Sequence, residues 1–341
     1  MTTIRTLQDA PGFLVDRHNH EVNWGTFTGQ VPDANLLDCS GIYGNDKRND
    51  RFLKEWQAFQ FSDETRFICG AIYNAKRFGL VALSYYDKSD NTHYVYKKFM
   101  RPSKVNVANG RLPSRSQFLS KNIEFSISRN PGKQNLEVHV HWKKQGSLPE
   151  LKLDVSMDES QSGMSICQPL TKHRPLYSYK NLMPGKVNMS LDNKPVTFSD
   201  KGFGIIDDHK GYYPKTVNYD WGTAGTYINN KLTGFNLTRN QVLNPEQFNE
   251  NCLWLDGKVW ALPAITVSHE KHSWHYTDVA GMVDLHFTEL VPNSQKFHLG
   301  FVYMDYQGPF GLFNGVIHHP EVGAVEFKNV LGMAERKRYK L

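Results

Sequence analysis

Apolar and polar residues alternate with a period of two along most of this chain. Segments 122–129 (NIEFSISR) and 136–142 (LEVHVHW) alternate cleanly around the turn-rich NPGKQN, which predicts a β-hairpin. A second hairpin is expected in CLWLDGKVWALP (252–263), where Asp256–Gly257 suits the positive φ angles of a type I′ turn. TYINNKLTGFNL (226–237) predicts a third, turned at Asn229–Asn230. RFICGAIYN and FGLVALSYYD read as neighbouring strands, and MVDLHFTEL (282–290) is expected to pair with HLGFVYMDY (298–306).

Helical periodicity is scarce. RFLKEWQAFQF (51–61) fits a helix or a strand, and NPEQFNENC (244–252) has room for one short helical turn. Many strands and few helices predict an all-β protein, built as barrels or sandwiches. QPLTKHRPLYSYKNLMPGK (168–186) holds three prolines and little periodicity. It predicts a linker over 171–186 between β lobes at 1–170 and 187–341.

Composition adds a cavity to this picture. The 341 residues include 20 Phe, 16 Tyr and 7 Trp, side chains that suit both β-sheet cores and ligand pockets. The net charge of +6 is spread out; its densest run, RKRYK at 336–340, reads as a solvated tail. No nucleic-acid-binding signature accompanies it, so no nucleic-acid partner is expected. Cys39, Cys69, Cys167 and Cys252 are far apart, which predicts free thiols and no zinc site. The N-terminus lacks the apolar core of a signal peptide, and no run reaches the length of a membrane span; a cytoplasmic protein is expected.

The densest chemistry lies in FGIIDDHKGYYPKTVNYDWG (203–222). One reading makes it an ordinary bend between two strands, with an aspartate capping the turn. The other places Asp207, Asp208 and His209 at a binding site as catalytic groups. Tyr212, Tyr213, Lys215, Asp220 and Trp221 would then contact the substrate. Histidine titrates near neutrality in water, and two neighbouring carboxyls can split their pKa values so that one keeps its proton. If FGIIDDH is extended, Asp207 and His209 share a face and Asp208 points the other way.

Other histidines read more plainly. His139 and His141 share a strand face, a polar outer surface more often than a metal site. His269, His272 and His275 lack the spacing of HExxH, and no metal is expected. The absence of GxSxG, P-loop and GxGxxG motifs argues against serine hydrolase, nucleotide hydrolase and dinucleotide chemistry.

Several phrases in order carry a resemblance: NLLDC, then DRFLKEWQAFQF, DDHKGYYPKTVNYDWGTAG, GFNL, ENCLWLDGKVWAL and the closing GPFGLFNGVI…VLGMAERK. Together they resemble the bacterial family catalogued as domain of unknown function 2804. Its lipocalin-like neighbours include carotenoid hydratases and Diels–Alderases. The resemblance implies two lipocalin-like β lobes holding an apolar substrate between or within them, and supplies no catalytic residues.

The leading expectation is a cofactor-independent enzyme, of hydratase, isomerase or cyclase type, acting on an apolar or amphipathic small molecule in a β-barrel cavity. A carbohydrate-active hydrolase or lyase, pairing Asp207 or Asp208 with Asp220 around an oligosaccharide, is the second. A non-enzymatic carrier of hydrophobic ligands is the third.

Overall fold

The alternating segments fold as the pattern predicts. Ile123–Asn130 pairs with Asn135–Trp142, and Arg66–Asn74 with Gly79–Asp87. The two tight turns take the left-handed backbone expected of them, with φ of 53° and 78° at Asp256 and Gly257 and of 51° and 63° at Asn229 and Asn230. These features come from a computed structural model that describes residues 4–39, 46–299 and 302–340. The protein is all-β, with two lipocalin-like lobes. Its one α-helix among the described residues, Asp46–Phe52, runs directly into the strand Lys54–Ser62. No described helix is long and apolar enough to cross a membrane.

A fourteen-stranded sheet forms the first lobe. Its path runs from Thr92–Met100 through Gly79–Asp87, Arg66–Asn74, Lys54–Ser62, Phe203–Gly211, Arg174–Leu191, Leu151–Asp158 and Asn135–Trp142 to Ile123–Asn130 and Ser114–Leu119. The sheet curls until its two halves meet: Phe59 packs edge-on against Phe125, with ring centroids 6.2 Å apart. The inner face carries Phe59, Phe61, Ile68, Ile72, Val81, Leu83, Ile127 and Val140, all buried, so the barrel interior is filled with core. Gly70 permits this closure, since a Cβ there would meet the Phe59 ring at 2.5 Å.

An eleven-stranded sheet forms the second lobe, centred on Thr216–Ile228 and Gly323–Lys340. Its interior holds Phe235, Leu237, Trp274, Leu285, Phe287, Phe313 and Phe327. The lobes touch through Phe67, Tyr86, Phe310, Leu331 and Met333, with the Phe67 and Phe310 rings 5.0 Å apart.

Three expectations are corrected. Segment 171–186 is no linker: Arg174–Leu191 is an eighteen-residue strand inside the first sheet, and the change of sheet falls between Gly211 and Thr216. Its prolines are tolerated because of where they fall. Pro175 is the second residue of the strand. Pro184 lies where one flanking partner ends at Lys180 and the next begins at Gly185, so a missing N–H costs little there. Second, Val283–Val291 pairs with Phe310–His319, and Val302–Gln307 pairs with Ser294–Leu299 and Gly323–Lys340. Third, RKRYK is not a tail but the end of a central strand.

Candidate active site

Small side chains open a cavity between the two lobes. Lys180, Asp207, Ala58, Ala71, Ala82 and Lys97 form one row across six adjacent strands. The three alanines leave a trough where larger residues would meet the second lobe. A neighbouring row, His209, Trp56, Tyr73, Leu80 and Phe99, walls one side. The second lobe closes over it with Tyr219 and Trp221 of Thr216–Ile228, Met333, Glu335, Lys337 and Tyr339 of Gly323–Lys340, and Tyr306. The cavity encloses about 500 Å³ and its walls are mainly apolar. It lies outside the filled barrel, in the seam between lobes, which corrects the expectation of a site inside a barrel.

Three ionisable residues meet in this seam, Lys180 and Glu250 buried and Asp207 partly buried. The Lys180 ammonium lies 2.7 Å from Asp207 Oδ1 and 3.6 Å from Glu250 Oε2. Trp56 Nε1 donates to Asp207 Oδ2 at 3.1 Å, and Gln168 Nε2 donates to Glu250 Oε1 at 2.8 Å. Burial pushes the Asp207 carboxyl upward, but the Lys180 charge and these hydrogen bonds outweigh it and hold Asp207 below its ordinary value. Burial raises Glu250, the Asp207 charge adds to the rise, and Lys180 offsets only part of it. One ammonium can balance one carboxylate, so the trio is neutral when Glu250 keeps its proton. Its members are one carboxyl held below its ordinary value, one held above it and the ammonium between them.

His209 stacks on Trp56, with centroids 3.8 Å apart and planes at 4°. Burial, helped by Lys180, Lys210 and Lys337 against the pull of Asp207, lowers its pKa to about 3. The imidazole is therefore neutral around pH 7, and the expected titration near neutrality is displaced. The Tyr213 hydroxyl, whose own pKa burial raises well above its usual value, shares a hydrogen bond with His209 Nε2.

The expected site residues divide. Asp207, His209, Tyr213 and Trp221 line the cavity. Asp207 and His209 share the cavity face, as alternation requires, while Asp208 points into the first lobe. There Gln57 donates to Asp208 at 3.3 Å and Arg129 lies 3.7 Å away. Tyr212 is also core, its hydroxyl donating to the Leu36 carbonyl at 3.1 Å. Lys215 is exposed in the bend. Asp220 is fully buried away from the cavity, held by Arg239 and by His269 at 2.9 Å, so the expected pairing with Asp207 or Asp208 across a sugar is not assembled.

Sequence reasoning missed Lys180, Glu250, Trp56, Glu335, Lys337 and Tyr339. The strand Gly323–Lys340 carried a usable signal, because Met333, Glu335, Lys337 and Tyr339 alternate onto one face. His139 pairs with Asp154 on the adjoining strand and His141 with Glu150 just before that strand, each at 2.6 Å. His275, Asp284 and His286 bring three ligand atoms within 4.8 Å of one another on the outer face of the second lobe. All four cysteines are free thiols.

Comparison with solved structures places this architecture among known folds. CghA, crystallised with Sch210972, superposes with a TM-score of 0.55 at 10% identity, covering 85% of this chain and 89% of its own. Kievitone hydratase from Nectria haematococca gives 0.46 at 10% identity, with 84% and 88% covered. A putative AttH from Nitrosomonas europaea gives 0.44 at 9% identity, with 84% and 93% covered. At these identities the likeness concerns fold alone. No curated protein sequence matches the chain. Residues 6–341 match a family as a whole, and the chain belongs to it: Domain of unknown function (DUF2804).

Proposed function

We propose that the protein is a cofactor-independent acid–base enzyme that isomerises, hydrates or cyclises an amphipathic small molecule held between its lobes. The carrying observation is the Asp207–Lys180–Glu250 trio, whose two carboxyls are pushed in opposite directions at the wall of a mainly apolar cavity. Separated carboxyl pKa values divide the acid role from the base role. Glu250 gives a proton to an alkene carbon or a carbonyl oxygen. Asp207 takes one from a C–H bond or from water. Lys180 touches both, so it can pass a proton back to Glu250 and receive one from Asp207, restoring the starting state. His209, neutral and fixed by Trp56 and Tyr213, orients the ligand by hydrogen bonding. A small-molecule occupant agrees with CghA, which shares the fold and was crystallised with Sch210972.

The test uses the protein's own occupant. Molecules extracted from the purified protein are identified by mass spectrometry and returned to it in deuterated water. An acid–base enzyme converts one of them and introduces deuterium at carbon. Glu250→Gln and Asp207→Asn should each lower the rate by about 10²-fold or more. Tight retention with neither conversion nor deuterium would make the protein a carrier and refute this reading.

A further inference from the structure

Two lysines at one end of the cavity have no carboxylate within ion-pair distance among the described residues. Lys54 Nζ donates to the Tyr339 hydroxyl at 3.0 Å and lies 4.7 Å from that ring's centre and 5.7 Å from the Tyr213 ring. Lys337 sits between Tyr219 and Tyr306 in one row of the second sheet. Its ammonium lies 5.8 Å from both of those ring centres and 5.9 Å from those of Tyr73 and Tyr339. The nearby Glu335 carboxylate accepts the Tyr219 hydroxyl instead.

Two ammoniums sharing the Tyr339 ring in a half-buried site repel each other. Burial, the Lys337 charge and Arg77 together lower the Lys54 pKa to about 8. Tyrosine faces soften such repulsion but do not cancel it. An anion with two oxygens would cancel it, and charge-assisted hydrogen bonds are the strong kind.

We infer that the cavity selects organic acids, seating a ligand carboxylate between Lys54 and Lys337 with its apolar body along Trp56 and His209. This rests on the proposed reading of the cavity as a small-molecule site and names its substrate class. Lys54 and Ala58, which lies beside Asp207 in the row, are four residues apart on one strand, about 13 Å. The reacting atoms would therefore lie well away from the acid group rather than next to it.

The test compares 2-naphthoate with 2-naphthamide, equal in shape and different in charge, by isothermal titration calorimetry at pH 7 and low salt. The acid should bind about tenfold more tightly or better. In the Lys54→Met/Lys337→Met protein this preference should vanish while amide affinity holds. If the double variant does not fold, Lys337→Gln alone should reduce the preference severalfold. Equal binding of acid and amide to the parent overturns the inference and leaves the cavity reading intact. So does an acid preference that survives in the folded variants. Binding of neither probe overturns both.

Discussion

Replacing Lys180 with methionine isolates the electrostatics of the proposed site. The ammonium is buried and 2.7 Å from the Asp207 carboxylate, so Lys180→Met leaves a carboxylate in an apolar seam with the Trp56 N–H as its remaining side-chain donor. Removing one partner of a buried pair costs about 3–5 kcal/mol. Glu250, which burial and the Asp207 charge already raise, loses the lowering influence of Lys180 in the variant and is raised further. The pH dependence has a definite sign. In the parent, Asp207 titrates below its unfolded value, so its pairing stabilises the fold above about pH 3.9 and is lost as pH falls through the folded pKa. In the variant the carboxyl titrates above its unfolded value. The deficit should therefore be smallest near pH 4 and grow toward neutrality, by about 1.4 kcal/mol for each unit that the carboxyl has risen. Urea unfolding at pH 4.5 and 7.5, followed by tryptophan fluorescence and circular dichroism, measures both ends. Adding Asp207→Asn should recover about 2 kcal/mol or more at pH 7.5. A deficit below about 1 kcal/mol at pH 7.5, or one that does not change with pH, would refute the reasoning.

Two further outcomes follow from the cavity walls. Ala71→Phe places a ring in the alanine trough and should weaken 2-naphthamide binding at least about tenfold while leaving the circular dichroism spectrum unchanged; parental affinity would mean that the trough is not where ligands sit. The His209 ring should show no titration between pH 5 and 8 by imidazole NMR, since its pKa lies at about 3, and a midpoint near 6.5 would mean that water reaches it.

Much of this fold is legible in the sequence because a half-buried strand must alternate. Ile123–Asn130 with Asn135–Trp142, and the turns at Asp256–Gly257 and Asn229–Asn230, follow from period two and from residues that accept positive φ. The segment Arg174–Leu191 is less legible because its first half is buried on both faces, which erases alternation, and because its prolines resemble punctuation. RKRYK misleads for another reason: a run of cations looks solvated, yet alternate residues of a strand face opposite ways, and Lys337 and Tyr339 reach the cavity.

The site was half legible. Asp207 and His209 could be assigned to one face by alternation, and that face proved to be the cavity wall. The partner of Asp207 could not. The adjacent Asp208 was the obvious second carboxyl, but adjacent strand residues cannot share a face. The carboxyl that meets Asp207 across Lys180 is Glu250, forty-three positions away and outside any regular element. Only the pairing of the lobes brings it there.

The most direct test of the account is the protonation state of Glu250 at pH 7. Infrared difference spectroscopy of the parent against Glu250→Gln, in light and heavy water, reads the carbonyl stretch of a protonated carboxyl group apart from that of a carboxylate. A protonated-carboxyl band is expected in the parent at neutral pH, missing from Glu250→Gln and retained in Asp207→Asn. A difference spectrum showing only carboxylate bands for Glu250 would contradict it, because the trio would then lack its acid.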